Sequence, residues 1–324
     1  MSVVDVAKER DERWLGRRAR RREPRWGKAD DSPHHGGFVK PAAPAFSISR
    51  RDIDAVRGDA RFRVVVEGFV AADLARYRAL TPIERWMISD VGRSSLSGAV
   101  FALDAVNRLT PTALMSVGAG ATGEVSLGRA RLYLRRAVAN GLIETVEPGV
   151  RLTGNAQLAA TPRFQKVMGD ILHAALEATA TLAPDVAPAL REMGRPTFVQ
   201  QLSFWAGSLT ASHPDLFPLD SPYQLFQARD GGARIMAELI SRQSPERERL
   251  LERCFYSNSA LARAGLCSRA HVIQLLKDGA GRGFLTFDGS VLTIDPKLSE
   301  ATETYFAHLF AVVRAAATRT LSKG

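Results

Sequence analysis

Four arginines lie on a stretch of the chain that has the period of an amphipathic helix. Residues 126–140, SLGRARLYLRRAVAN, carry leucine and alanine at helical spacing on one side, and a glycine follows where such a helix ends. A guanidinium presents forked donors that suit guanine O6 and N7 or a phosphate. The pattern predicts a helix whose outer side binds a polyanion. Its candidate contacts are Ser126, Arg129, Arg131, Arg135 and Arg136, with Tyr133 also available.

A second stretch has the same length, a similar apolar spacing and the same serine start. Residues 268–282, SRAHVIQLLKDGAGR, end before Gly283, as the first stretch ends before Gly141. Glutamine suits adenine, whereas arginine suits guanine or phosphate. The candidate contacts of this second helix are Ser268, Arg269, His271, Gln274 and Lys277.

The first arginine-rich helix belongs to an ordered series of elements. A short helix at 113–117 precedes it, and a β-hairpin follows with strands at 142–146 and 150–152. A long helix at 162–182 closes the series. Arg151 lies on the hairpin and is a further candidate contact.

The second helix stands in the same series. A short helix at 259–264 precedes it, strands at 284–287 and 291–294 follow around an Asp288-Gly289 turn, and a helix at 299–314 ends it. Two copies with one order of elements are more specific than a single match, because each constrains the other.

The copies are aligned through particular residues. Gly141 pairs with Gly283, and Leu152-Thr153 pairs with Leu292-Thr293 once the second hairpin is taken as shorter. Upstream, Thr81-Pro82 and Thr110-Pro111 in the first copy are paired with Ser221-Pro222 and Ser244-Pro245 in the second.

This order of elements resembles the winged-helix regulators of the MarR-like class. The resemblance covers about residues 80–182 and again about 222–315, and includes the hairpin sequences LIETVE…VRLT and FLTFDG…VLTI. It implies that the second helix of each copy enters the major groove of double-stranded DNA while the hairpin, or wing, reaches the neighbouring backbone or minor groove. It also implies a transcription regulator of a bacterial type. Regulation by a small-molecule effector, of unspecified chemistry, is left open.

The chain departs from that family in two ways. The family usually carries one such unit per chain and binds a palindrome as a homodimer, whereas this chain carries two units. The usual wing tip, roughly D-x-R, is missing from residues 147–150.

The fold class that follows is mainly α with small β-hairpin wings, a tandem winged helix-turn-helix in a pseudo-two-fold arrangement. We expect a basic arm at 1–50, a first winged-helix domain at 51–184, a linker at 185–220 and a second winged-helix domain at 221–324. Tethering favours pairing of the flanking helices within one chain, as a pseudo-dimer. A homodimer in which one unit per chain binds DNA is the alternative.

Charge supports a polyanionic partner. The formal net charge is +10, and half of it falls in residues 1–50, which hold twelve Lys or Arg and seven Asp or Glu. Few large apolar residues are present there to offset the entropy of ordering, so this arm is predicted to be disordered. It is interpreted either as an arm that meets phosphates or a minor groove, or as a solvated tail.

Cysteine content and hydropathy indicate the cellular compartment. Cys254 and Cys267 form no zinc-ligand pattern, so no metal is expected, and two cysteines in this length indicate a reducing environment. They are interpreted as buried thiols, with a redox switch as the alternative. The chain has neither an apolar run long enough to span a membrane nor a signal-peptide core at its start. A cytoplasmic, nucleoid-associated protein without a membrane partner is therefore expected.

The sharpest enzymatic alternative is a dinucleotide site. Residues 118–123 match GxGxxG through Gly118, Gly120 and Gly123, and Glu144 follows at a suitable distance. However, the preceding residues begin like a helix, and no further βαβ unit follows. No other catalytic motif is present. We therefore predict a non-enzyme with no catalytic residue and no cofactor. A replication initiator or a nucleoid DNA-binding protein remains a further alternative.

Overall fold

The computed structural model describes residues 47–120, 125–147, 149–218, 220–244 and 246–322. Nearly all of the predicted basic arm therefore lies outside the described residues, as do residues 121–124. At the end of the arm, Ser49 caps a first helix in a reciprocal pair of hydrogen bonds with Asp52. The first helix and its cap thus begin at the predicted boundary near residue 50.

The protein is mainly helical with small antiparallel sheets. In chain order the helices are α1 (Arg50–Arg57), α2 (Phe62–Ala79), α3 (Pro82–Met87), α4 (Val91–Asp104), α5 (Pro111–Gly120), α6 (Leu127–Ala139), α7 (Pro162–Leu182), α8 (Ala187–Glu192), α9 (Pro196–Ser212), α10 (Gln224–Gln227), α11 (Gly232–Ser241), α12 (Asn258–Gly265), α13 (Arg269–Gly281) and α14 (Pro296–Leu321). The strands are β1 (Ile143–Thr145), β2 (Leu158–Ala160), β3 (Arg253–Phe255), β4 (Leu285–Asp288) and β5 (Val291–Ile294).

Residues 82–182, the first unit, and residues 223–321, the second unit, contain the two predicted series. In the first unit β1 pairs antiparallel with β2, and Ile143 lies opposite Ala160. In the second unit the strand order is β3-β5-β4, and Leu285 lies opposite Ile294. In both units the helix after the hairpin starts with a proline that follows a capping residue, Thr161 or Asp295.

The returning strand of the first hairpin was predicted at 150–152, and that prediction is wrong. The strand is Leu158–Ala160, and residues 146–157 form a loop that folds back onto the unit. The backbone N–H of Thr112 donates to the carbonyl of Gly154 at 2.9 Å, and Leu152 is buried. The apolar side chain at position 152 is thus explained by the inward packing of the loop. The residue that corresponds to Ile294 is therefore Ala160, and the pairing of Leu152-Thr153 with Leu292-Thr293 is withdrawn.

The upstream proline correspondence is also corrected. Thr110 caps α5 by accepting a hydrogen bond from the Ala113 N–H at 3.1 Å. The matching residue in the second unit is Ser257, which caps α12 by accepting from the Ala260 N–H at 3.1 Å. Ser244 instead precedes an irregular segment that leads into β3, and Pro245 lies outside the described residues.

The chain breaks its helices at two places where the units meet. Helices α3 and α4 are separated at Ser89 and Asp90, because Asp90 is extended and caps α4 by accepting from the Arg93 N–H. Helices α10 and α11 are separated by residues 228–231, where Gly231 has a φ of 72°. These two interruptions face each other between the units.

Apolar side chains form three clusters. One fills the first unit, and one fills the second unit. Helix α2, expected with the first unit, contributes Phe62, Val66 and Val70 to the cluster of the second. The third cluster joins Leu176 of α7 and Leu202 of α9 to Val313 of α14. The helices that close the two units therefore pack together, and the predicted linker is itself partly helical and part of that packing.

Within the described residues, no helix is long and apolar enough to cross a membrane. In the same residues, no group of three or more His, Cys, Asp or Glu side chains is placed to hold a metal ion.

Candidate nucleic-acid interface

The two candidate recognition helices begin with the same local geometry. Ser126 accepts a hydrogen bond from the Arg129 N–H at 3.2 Å, and Ser268 accepts one from the His271 N–H at 3.1 Å. Each serine therefore satisfies a backbone donor of the first turn. Ser126 and Ser268 are exposed, so both helices present their N-terminal turns at the surface.

The two helices also end alike. Gly141 has a φ of 67° and Gly283 a φ of 73°, a left-handed conformation that costs a glycine little. The next N–H then donates backwards, from Leu142 to the Ala137 carbonyl at 2.9 Å and from Phe284 to the Gly279 carbonyl at 3.0 Å. These ends turn the chain directly into β1 and β4.

Arginines dominate the outer side of α6. This helix holds four arginines and no acidic residue, and Arg131, Arg135 and Arg136 are exposed. Arg151 is exposed in the loop after β1. The surface formed by these residues can donate several charge-assisted hydrogen bonds to an anionic ligand.

Tyr133 is not available for such contacts, contrary to expectation. Its side chain is fully buried, and its hydroxyl lies 2.7 Å from the Ser97 hydroxyl. Burial raises the pKa of Tyr133, against the smaller effect of that hydrogen bond. Tyr133 stands one turn from the buried Ala130 and Ala137, and this spacing already places it on the inner side of α6.

Trp86 packs against the arginine-bearing side of α6. Its ring stacks on Tyr133 with a centroid separation of 6.1 Å. The guanidinium carbon of Arg136 lies 4.5 Å from the Trp86 ring centroid, and that of Arg93 lies 4.7 Å away. Cation–π contacts of this kind restrict the guanidinium while leaving its edge free to donate.

Arg129 forms an ion pair with Asp90, whose side chain is 1% exposed. Asp90 also lies 3.2 Å from Nε of Arg93. Burial raises the pKa of the Asp90 carboxyl, and the two guanidiniums oppose that rise. Arg129 is half-buried and joins α6 to the start of α4. The position of Arg129 therefore favours a role in fixing the recognition helix and not a contact with a base.

Arg93 continues this chain of ion pairs into the second unit. Its Nη1 lies 2.8 Å from Oδ1 of Asp230. For Asp230, burial works to raise the pKa, but Arg93 and the hydrogen bonds around the carboxylate outweigh it, and the pKa lies below its ordinary value. The neighbouring Arg229 donates to Asp278 on α13 at 3.0 Å. We call these residues, Arg129, Asp90, Arg93, Asp230, Arg229 and Asp278, the inter-unit link.

A close backbone contact accompanies the inter-unit link. The Gly231 N–H donates to the Ser89 carbonyl of the first unit at 2.8 Å. On its other side, a Cβ at Gly231 would overlap the carbonyl of Gly265, at the end of α12. Glycine is therefore required here both by the positive φ and by the space.

The second recognition helix carries less positive charge than the first. Arg269, Gln274 and Lys277 are exposed, but Gln274 donates to Asp278 at 2.7 Å. His271 is only partly exposed, and its Nε2 is buried without a hydrogen-bond partner among the described residues. The exposed donors of α13 are thus fewer than those of α6.

The first two glycines of the GxGxxG match do not follow a strand. Gly118 and Gly120 belong to the helix α5, and Gly123 lies outside the described residues. Both cysteines are free; Cys254 is buried and Cys267 is partly buried. Burial raises the pKa of each thiol.

The chain matches no family model, no curated protein and no solved structure.

Sequence reasoning missed Trp86, Asp90, Arg93 and the 229–230 pair. Only one of these carried a local signal, since an aspartate three residues before the Arg93 N–H is typical of a helix cap. The others act across long separations, such as the 137 residues between Arg93 and Asp230.

Proposed function

We propose that the chain is a sequence-specific regulator that binds double-stranded DNA, with each unit acting as a winged helix of the MarR-like kind. In this proposal α6 and α13 enter the major groove, and the two units form a pseudo-dimer within one chain. A chromosomal target implies a cytoplasmic, nucleoid-associated location. Neither a cofactor nor a catalytic residue is part of the proposal.

The observation that carries the proposal is the matched geometry of α6 and α13 together with the charge of α6. Both helices present a serine-capped N-terminal turn at the surface and lead through a left-handed glycine into an antiparallel hairpin. Helix-turn-helix proteins contact base edges from such a turn. The exposed arginines of α6 supply the donors that guanine and phosphate require.

The inter-unit link supports a fixed spacing between the two helices. Ion pairs connect Arg129 on α6 to Asp230, and the adjacent residue in the chain, Arg229, pairs with Asp278 on α13. Two helices held at one separation suit two half-sites held at one separation. Because the helices differ in sequence, the half-sites are expected to differ, and the operator is expected to be an imperfect palindrome.

A direct test begins with selection of duplexes from a random-sequence pool. Affinity for the selected duplex should fall steeply with salt, because phosphate contacts release counterions. Replacing Arg131 by alanine should weaken binding; loss of one phosphate contact lowers the log–log salt slope by about 0.9, whereas loss of a base contact costs about 1–3 kcal/mol.

Arg191→Ala is the matched control, since Arg191 is an exposed arginine on α8, remote in sequence from the recognition helices. Its binding should equal that of the unaltered chain. Failure to enrich any duplex, or equal losses in Arg131→Ala and Arg191→Ala, would contradict the proposal.

A further inference from the structure

A cavity of about 520 Å³ lies where helices of the two units meet. Its walls come from α2, α7, α9 and α14, and from residues beside the inter-unit link. The volume is within the range of about 300–1,000 Å³ that small-molecule sites occupy.

The lining is largely apolar and aromatic. Met168 and Leu172 of α7 face it together with Phe69 of α2 and Tyr305 and Leu309 of α14. Such a surface binds the body of an organic molecule by removing apolar area from water. Polar groups within it then determine the orientation of that molecule.

Most polar groups of the lining already have partners. Arg234 lies 3.3 Å from Asp73, donates to the Ile88 carbonyl at 3.2 Å and covers the ring of Tyr77. The Gln227 side chain hydrogen-bonds with the hydroxyl of Tyr223. The lining therefore offers no uncompensated cation to hold an anionic ligand.

Gln224 differs from the charged groups of the lining. Asp90 Oδ2 and Arg234 Nε also lack a hydrogen-bond partner among the described residues, but each lies within 3.3 Å of an opposite charge, on Arg93 or on Asp73. Gln224, on α10, is 5% exposed, and its Oε1 is buried without a hydrogen-bond partner among the described residues. A buried acceptor that has lost water and gained no donor is unfavourable. A ligand that brings a donor to Gln224 would remove that penalty.

We propose that this cavity binds a neutral, largely apolar organic molecule that donates a hydrogen bond, from a hydroxyl or an N–H, to Oε1 of Gln224. Asp90 also lines the cavity, so the ligand would lie beside the inter-unit link. That binding changes DNA affinity is a consequence that rests on the proposed function, whereas the binding site itself does not.

Calorimetric titration of the full chain with three probes tests the site. The probes are 2-naphthylmethanol, its methyl ether and 2-naphthoate, which share one ring system. The alcohol should bind about fivefold more tightly than the ether, which cannot donate, because a net hydrogen bond contributes about 1 kcal/mol. The carboxylate should bind least. Equal affinity for alcohol and ether, or tighter binding of the carboxylate, overturns the proposal without any variant.

Two variants locate the site. Gln224→Leu keeps the side-chain size and removes the acceptor, so the alcohol should lose its advantage over the ether. Ala206→Leu fills the cavity from α9 and should weaken both ligands, whereas Ala211→Leu, on the exposed side of that helix, should not. An alcohol preference that survives Gln224→Leu in the folded protein contradicts the assignment.

The regulatory consequence has its own readout. Saturating 2-naphthylmethanol should change the affinity for the selected duplex, and Gln224→Leu should reduce that change. An unchanged DNA affinity would contradict the coupling alone. Failure of the unliganded chain to bind DNA would contradict the proposed function and leave the calorimetric result standing.

Discussion

Arg93 Nη1 lies 2.8 Å from Asp230 Oδ1, and this ion pair joins the first unit to the second. On one side Arg93 shares Asp90 with Arg129 of α6. On the other side Asp230 adjoins Arg229, which donates to Asp278 of α13. The two recognition helices are therefore connected by ion pairs on either side of the Arg229–Asp230 backbone, in addition to the apolar packing of α7 against α14.

Asp230→Asn should broaden the tolerance for half-site spacing. The substitution removes the charge that holds Arg93 across the units, while Asp230 is 57% exposed and contributes little to the free energy of unfolding. We expect a nearly unchanged melting temperature and a smaller penalty for duplexes with one base pair inserted between the half-sites. Quantitative binding to a spacing series measures this.

Asp220→Asn is the control for that experiment, because it removes the same charge from another exposed aspartate. Its spacing preference should match that of the unaltered chain. A spacing preference in Asp230→Asn as sharp as in the control would show that the ion pair does not set the separation of the units.

Gly231→Ala should destabilise the protein more than Gly289→Ala. Both glycines have positive φ, 72° and 56°, so alanine at either costs about 1 kcal/mol from the backbone alone. At Gly231 the new Cβ also meets the Gly265 backbone, whereas no heavy atom lies within 4 Å of that position at Gly289. Denaturant unfolding of both variants gives the comparison. Equal losses would mean that the Gly231 backbone does not lie against the Gly265 backbone at the end of α12.

Removal of residues 1–46 should weaken non-specific DNA binding more than sequence preference. That segment is rich in arginine, and arginine contacts to phosphates carry no sequence information directly. The cut is placed before Ser47 because Ile48 packs on the third cluster and Ser49 caps α1. Affinity for an unrelated duplex and for the selected duplex, measured at one salt concentration, provides the ratio. A truncated chain whose preference collapses while its non-specific affinity holds would contradict this role.

Local chemistry explains which parts of the fold the sequence predicted. Serine caps, terminal glycines and helical spacing act within a few residues, so α6, α7, α13 and the second hairpin were placed closely. The prediction of the first hairpin failed for a physical reason. Its returning strand is Leu-Ala-Ala, and alanine has low strand propensity, whereas the Val-Arg-Leu of the loop alternates like a strand.

The candidate site was predicted less completely than the fold. The exposed arginines of α6 follow from helical spacing alone. The contacts of Arg129 do not, because its partner Asp90 lies at the start of another helix, α4, and only the fold brings the two side chains together. The cavity, too, arises from helices distant in sequence and has no local signature.

Hydroxyl-radical footprinting of one selected duplex shows directly whether both helices of a single chain read DNA. Arg131→Ala tests α6, and Gln274→Ala tests α13; both residues are exposed. Each lost base contact should cost about 1–3 kcal/mol. We predict that the two variants lose protection at different half-sites, separated by about one helical turn. Loss of protection at the same bases in both variants, or an unchanged footprint in Gln274→Ala, would contradict a pseudo-dimer that uses both recognition helices.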